Sequence, residues 1–286
     1  MEGVYNRPGQ GIRKIATTNS FYIYSRQDGE LIMLLEKTLR VRQEKNNILL
    51  MTHIVLGYPT FETNRQVIRQ MVDNGVDCIE MQIPFSEPMA DGPVILKANQ
   101  DSLALGTTVA DCMAFGAEMT KEHNIPFLFM TYYNIIFKYG EEQFFKDCQG
   151  AGIQGLIIPD LPPEMGEEFF QLAARYQVAP ILIFAPTSTD ARMAKLNSSA
   201  SGFIYCVARR GVTGKKSEFD DDFGSYLSRC KAATTLPLAV GFGIRNKDDV
   251  AAIAGKADMA VIGSETIRLV DENGAEAVGP FISGLR

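Results

Sequence analysis

Apolar residues in this chain gather in short continuous runs, each followed by a stretch with helical spacing of apolar and polar positions. The runs cover residues 48–56, 78–83, 127–131, 156–158, 181–184, 203–207, 238–240 and 259–262. Near-continuous apolar strands of this length are expected where a parallel sheet is covered on both faces. Helical patterns follow at 61–74, 93–104 with 109–123, 141–149, 163–176, 190–197, 222–232, 247–254 and 275–285. Thr60 or Thr63 is placed to cap the first of these, and Gly75 to stop it. Eight strand–helix units and no second compositional domain predict an α/β fold, a single (β/α)8 (TIM) barrel. A doubly wound open sheet is the structural alternative.

Residues 1–32 differ: they are polar and rich in Gly, Asn and Thr apart from a short run at 21–24. They are expected to form an N-terminal extension, disordered or loosely docked, with 33–286 as the catalytic barrel. Met33 is a candidate alternative start, and the apolar positions Met33, Leu34, Leu35, Leu39 and Val41 predict a short helix there.

Composition narrows the function classes. The chain has 286 residues, 46% of them hydrophobic and 22% charged, within the range of ordinary globular proteins. A net charge of −6 without a long basic run argues against a nucleic-acid partner. Five widely spaced cysteines without a CxxC pair suit reduced core thiols. Two histidines leave little material for a His-based metal site, and no metal is expected. No apolar stretch approaches the roughly 18 residues of a membrane span, and the start lacks a signal-peptide core. A cytoplasmic protein is expected.

In a barrel the chemistry sits at strand carboxyl ends and in the loops that follow. Glu80 lies near the end of the second run, on the face of Cys78 and Gln82 and opposite Ile79 and Met81. Pro84, Pro88 and Pro93 stiffen the loop that carries Ser86, Glu87 and Asp91. A carboxylate on a buried strand is costly to desolvate without a partner or a task, so a core ion pair and an acid/base group both fit Glu80. Gly241, Gly243 and Gly263-Ser264 follow the last two strands, where barrels often bind phosphate. There, glycine admits close backbone approach, and a helix start at Ser264 adds a positive dipole end. Ordinary turn and cap roles are the rival reading for these glycines. Tyr205 reads as core packing, Asn134 and Asp160 as caps or ligands, His53 as a structural histidine and Arg209 as a lid or surface charge.

The segment Glu80-Met-Gln-Ile-Pro-Phe-Ser-Glu-Pro-Met-Ala-Asp91-Gly-Pro resembles the signature of the tryptophan synthase α subunit family. Leu56-Gly-Tyr-Pro59, Gly211-Val-Thr-Gly214, Gly241-Phe-Gly243-Ile and Gly263-Ser264 match further blocks in the same order, so the resemblance covers about 33–286. It implies a lyase that cleaves indole-3-glycerol phosphate into indole and glyceraldehyde 3-phosphate by a retro-aldol reaction. Carried over, Glu80 is the general acid/base and Asp91 accepts the indole N–H. Tyr205 lines the pocket, and Arg209 and Thr213 belong to a closing loop. Gly214, Gly243, Gly263 and Ser264 contact phosphate. The resemblance implies no cofactor in this chain, and a pyridoxal-phosphate β subunit as partner in an α2β2 tetramer.

Three positions depart from the family pattern. Gln82 stands in place of a usual Gly, His53 in place of a usual pocket Phe, and Glu87 in place of a usual Asp. All three put rate and coupling in question rather than reaction type. Two other functions stay open on this reading: a stand-alone lyase that releases free indole, and a non-catalytic regulator of a β subunit.

Overall fold

The computed structural model describes residues 13–15, 23–25, 31–32, 34–207, 221–241 and 243–286. Eleven strands occur among them: β1 (Arg13–Ile15), β2 (Ile23–Ser25), β3 (Leu31–Ile32), β4 (Leu49–Val55), β5 (Cys78–Gln82), β6 (Phe127–Met130), β7 (Gly155–Ile157), β8 (Ala179–Phe184), β9 (Ile204–Val207), β10 (Leu238–Gly241) and β11 (Met259–Ile262). The first three pair antiparallel, in the stretch expected to be an extension. The other eight close into a barrel in the order β10-β11-β4-β5-β6-β7-β8-β9, every pair parallel. Closure removes the doubly wound alternative.

Alternation along each strand divides the core in two. Leu49, Met51, Cys78, Leu128, Met130, Ile181, Ala239, Met259 and Val261 meet inside the barrel. Ile79, Met81, Phe127 and Phe129 point the other way and pack under the surrounding helices. The helix Leu34–Gln43 joins the inner cluster through Leu35 and Leu39, one helical turn apart and both fully buried. Leu35 reaches within 3.1 Å of where a β-carbon on Gly155, the first residue of β7, would stand. Arg40 and Arg42 of the same helix donate to the carbonyls of Thr235 (2.7 Å) and Asn124 (2.8 Å), in the loops that enter β10 and β6. The helix therefore plugs the amino end of the barrel and leaves the carboxyl end for chemistry.

Asp77 secures the same closed end. It is 2% exposed, accepts from Leu50 N at 2.9 Å and is paired with Arg42 at 3.6 Å and with the side chain of Arg286.

Helix boundaries follow local signals where those exist. Thr60 caps Phe61–Asp73 by accepting from Thr63 N at 3.1 Å, and Gly75, at φ +90°, ends the turn beyond it. Pro93–Ala104 starts on proline, whose missing donor costs nothing there. Two expected helices are instead divided. The 163–176 pattern separates into a 3-10 turn Pro163–Met165 and a helix Glu167–Tyr176 around Gly166. The 275–285 pattern holds a 3-10 turn, Ala275–Ala277, and a helix Val278–Ser283, and follows a separate helix Ser264–Asn273 that ends at Gly274 (φ +79°).

Candidate active site

The β4–β5 register sets the site. His53 is the cross-strand partner of Glu80, and Val55 of Gln82. Cys78, Glu80 and Gln82 share the inward face, in line with the expected alternation, and His53 joins them from β4. His53 Nδ1 lies 3.0 Å from Glu80 Oε1, with both residues at most 4% exposed. Burial alone would lower the proton affinity of His53. The charge of Glu80 and its hydrogen bond, with help from Asp91 and the Gln82 amide, overcome that, and the imidazole pKa is raised from its ordinary 6.5. Glu80 therefore has a buried hydrogen-bonding partner, as the core-pair reading of this residue expects.

The loop after β5 brings in the second carboxylate. Gln82 Nε2 donates to Asp91 Oδ2 at 2.7 Å, and Tyr132 Oη donates to the same oxygen at 3.2 Å. Tyr132 Oη also accepts from Ala90 N at 3.0 Å, and its ring stacks on Phe85 with centroids 5.0 Å apart. Phe85 N is held by Asn99 Oδ1 at 2.9 Å, which ties the loop to the helix that follows. Burial raises the pKa of Asp91; His53 and the Gln82 hydrogen bond oppose that, and the charge of Glu80 adds to it.

Tyr205 on β9 faces the same interior and packs against the inner core cluster. Burial, then the charges of Glu80 and Asp91, push its phenol pKa well up, so it is a neutral hydroxyl in this site. The packing role expected for Tyr205 is met by this position.

Gly241 and Val261 are paired across β10 and β11, and Gly243 and Gly263 follow those strands, two residues past the end of β10 and one past the end of β11. Gly243 has φ +81° and open space where a β-carbon would be. Gly263 is the N-cap of Ser264–Asn273, and Ser264 opens that helix. Thr266 binds the carbonyls of Gly263 (2.8 Å) and His53 (3.0 Å) through its hydroxyl, which fixes this helix start to β4. The amino end of this helix thus lies at the same end of the barrel as the carboxylates.

Arg209, Thr213 and Gly214 lie outside the described residues. Asp160 is a cap: its Oδ1 accepts from Tyr133 N at 2.9 Å, at the start of a helix Tyr133–Tyr139 that the residue pattern did not suggest. Asn134 on that helix is exposed. Tyr132 and Thr266 were not anticipated as site residues. Tyr132 stands directly after an apolar strand, a position that carries function in a barrel, but its contact with Asp91 spans 41 residues of sequence. Among the described residues, no three His, Cys, Asp or Glu side chains gather as metal ligands, and the five cysteines are buried and unpaired. No helix among them is long and apolar enough to cross a membrane.

The open end of the barrel thus holds two carboxylates of different surroundings, a neutral phenol, and glycines after β10 and β11 beside a helix start. Comparison with known proteins agrees with that chemistry. A family model described as tryptophan synthase alpha chain matches residues 39–279. The tryptophan synthase alpha chain of Desulfotalea psychrophila is 71% identical over 254 residues, covering 89% of this chain and all of the relative. That of Syntrophotalea carbinolica is 53% identical over 253 residues, covering 88% and 100%. A solved Mycobacterium tuberculosis tryptophan synthase chain superposes with a TM-score of 0.82 at 30% identity, over 89% of this chain and 97% of that one. The alpha subunit from Legionella pneumophila gives 0.81 at 29% identity, over 89% and 97%. The chain belongs to the tryptophan synthase alpha chain family.

Proposed function

We propose that this lyase cleaves indole-3-glycerol phosphate into indole and glyceraldehyde 3-phosphate through Glu80 and Asp91, as the α subunit of a cytoplasmic tryptophan synthase. Breaking the carbon–carbon bond needs an electron sink, and protonation of indole C3 creates one. Glu80 delivers that proton and then takes the proton of the glycerol hydroxyl as the carbonyl forms, so no proton is gained or lost overall. Asp91 accepts the indole N–H and stabilises the cationic ring. Tyr205 lines the pocket, and Gly214, Gly243, Gly263 and Ser264 hold the phosphate. Arg209 and Thr213 close over the bound substrate. The chemistry asks for no cofactor in this chain; pyridoxal phosphate belongs to the β subunit.

The observation that carries the reading is that Glu80, buried, and Asp91, partly buried, sit on β5 and on the loop after it at the open end of the barrel, each hydrogen-bonded to a neighbour. A partner at that end is supported by three exposed apolar side chains beyond β5, β6 and β7: Met89 (86%), Phe137 (67%) and Met165 (76%). The catalytic unit is taken to be 33–286, with 1–32 outside it.

Incubating purified chain with indole-3-glycerol phosphate, with and without a β subunit, tests the proposal. Equal amounts of indole and glyceraldehyde 3-phosphate are expected, with turnover raised by the β subunit. High turnover that the β subunit leaves unchanged would favour a stand-alone lyase. No product under either condition would leave only a regulatory role.

A further inference from the structure

Two wholly buried polar side chains in the pocket, His53 and Gln82, take no part in the bond-breaking step proposed above. An apolar residue would fill the same inward positions without the cost of desolvating an imidazole and an amide. Each instead makes a short hydrogen bond to one oxygen of one carboxylate: His53 Nδ1 to Glu80 Oε1 at 3.0 Å, and Gln82 Nε2 to Asp91 Oδ2 at 2.7 Å. The oxygens are divided unequally. Glu80 Oε2 is buried and makes no hydrogen bond among the described residues. The two hydrogen bonds that Asp91 accepts from described side chains both end on Oδ2.

Both anchors are themselves rigid. His53 and Glu80 face each other across a strand pair, and the His53 carbonyl is held by Thr266 Oγ1 at 3.0 Å. Gln82 is fully buried at the end of the same strand as Glu80.

We propose that His53 and Gln82 are positioning residues that assign one oxygen of each carboxylate to the protein and the other to the substrate. His53 keeps Glu80 from turning about its terminal bond, so Oε2 is the oxygen that gives a proton to C3 and receives one from the hydroxyl. The N–H of His53 stays on His53 throughout and stabilises the carboxylate that Glu80 becomes between the two transfers. Gln82, with Tyr132, fixes Asp91 so that Oδ1 is turned to the indole N–H. This inference rests on the roles proposed for Glu80 and Asp91.

The test is the split between kcat and KM for cleavage in the full-length chain carrying His53→Phe, His53→Asn or Gln82→Met, with Glu80→Gln alongside. His53→Phe removes the donor at similar shape, and kcat should fall about ten- to a hundredfold, the range for losing a hydrogen bond to a charged group, with KM changed less than about threefold. Asn places an amide N–H near the position of Nδ1 and should restore kcat to within about fivefold of the parent, which a general packing defect would not allow. Gln82→Met should lower kcat/KM about tenfold. A His53→Phe chain with kcat within about twofold of the parent, or an Asn variant no better than Phe, would overturn the assignment. Should His53→Phe fail to fold, the Asn and Met variants decide: Asn more than about tenfold down, or Met unchanged, overturns it. If Glu80→Gln stays active, the reading of Glu80 itself falls; if it is inactive while His53→Phe is silent, only the positioning role falls.

Discussion

The ring of Tyr205 lies so close to the backbone of Gly241 that a β-carbon there would stand 2.6 Å from its hydroxyl oxygen and 2.7 Å from Cε1. The two residues belong to neighbouring strands of the barrel, and the tyrosine occupies the space that a side chain on β10 would take. Gly241→Ala should therefore push the ring toward the substrate. The expected result is a KM raised severalfold, together with about 1–3 kcal/mol lost in urea unfolding, as for overpacked cores. An unchanged KM would mean that Tyr205 does not bound the pocket.

Tyr132 joins two parts of the loop that carries Asp91: it accepts from Ala90 N and donates to Asp91. Tyr132→Phe keeps the stacking on Phe85 and removes both hydrogen bonds. A drop in kcat/KM of about tenfold is expected, the scale of roughly 1–1.5 kcal/mol, with little change in Tm. Steady-state kinetics beside a thermal melt would check it.

Stability should depend on pH through the buried cluster. His53 and Asp91 both hold a proton more tightly in the folded chain than in the unfolded one. A raised pKa means more protons bound in the native state, so stability falls as pH rises. For His53 that contribution is present below its ordinary 6.5 and is lost as pH climbs through the raised folded value. Urea unfolding at about pH 6 and about pH 9 should show a larger loss for the parent than for His53→Phe. Equal losses would contradict a His53 that holds its proton more tightly in the folded chain.

The exposed trio Met89, Phe137 and Met165 gives a test of the partner face that leaves the pocket untouched. Phe137→Asp should weaken the β-subunit complex by about 2 kcal/mol or more, the scale of an interface hot spot, and leave the basal cleavage rate of the isolated chain unaltered. Titration calorimetry with the β subunit measures the first effect and an indole assay the second.

The barrel was legible because its strands are apolar runs bounded by Gly and Pro, and β11 (Met259–Ile262) falls where the pattern put it. Helix starts with a local cap, such as Phe61–Asp73 on Thr60, were also readable. Tyr133–Tyr139 was not, because its cap comes from Asp160, which lies 27 residues further along the chain. The same limit applies to the site. Glu80 and Asp91 stood out as carboxylates in a strand and a proline-rich loop. The link from His53 to Glu80 depends on the β4–β5 register, which only the closed barrel sets. Gln82 stood out as a departure from a usual Gly, but the partner of its amide, Asp91, is set by the fold of the loop. Arg209, Thr213 and Gly214 keep the roles implied by resemblance alone.

The most direct test of the account is a single-turnover measurement with Glu80→Gln, using enzyme in excess over indole-3-glycerol phosphate. Glutamine keeps the shape and a hydrogen-bonding oxygen but cannot carry the proton to C3. The account predicts that the rate constant for carbon–carbon cleavage falls by about 10² or more, the scale of general acid/base catalysis, while the substrate dissociation constant stays within about threefold of the parent. Cleavage slowed by less than about tenfold, or a loss explained wholly by weaker binding, would contradict it.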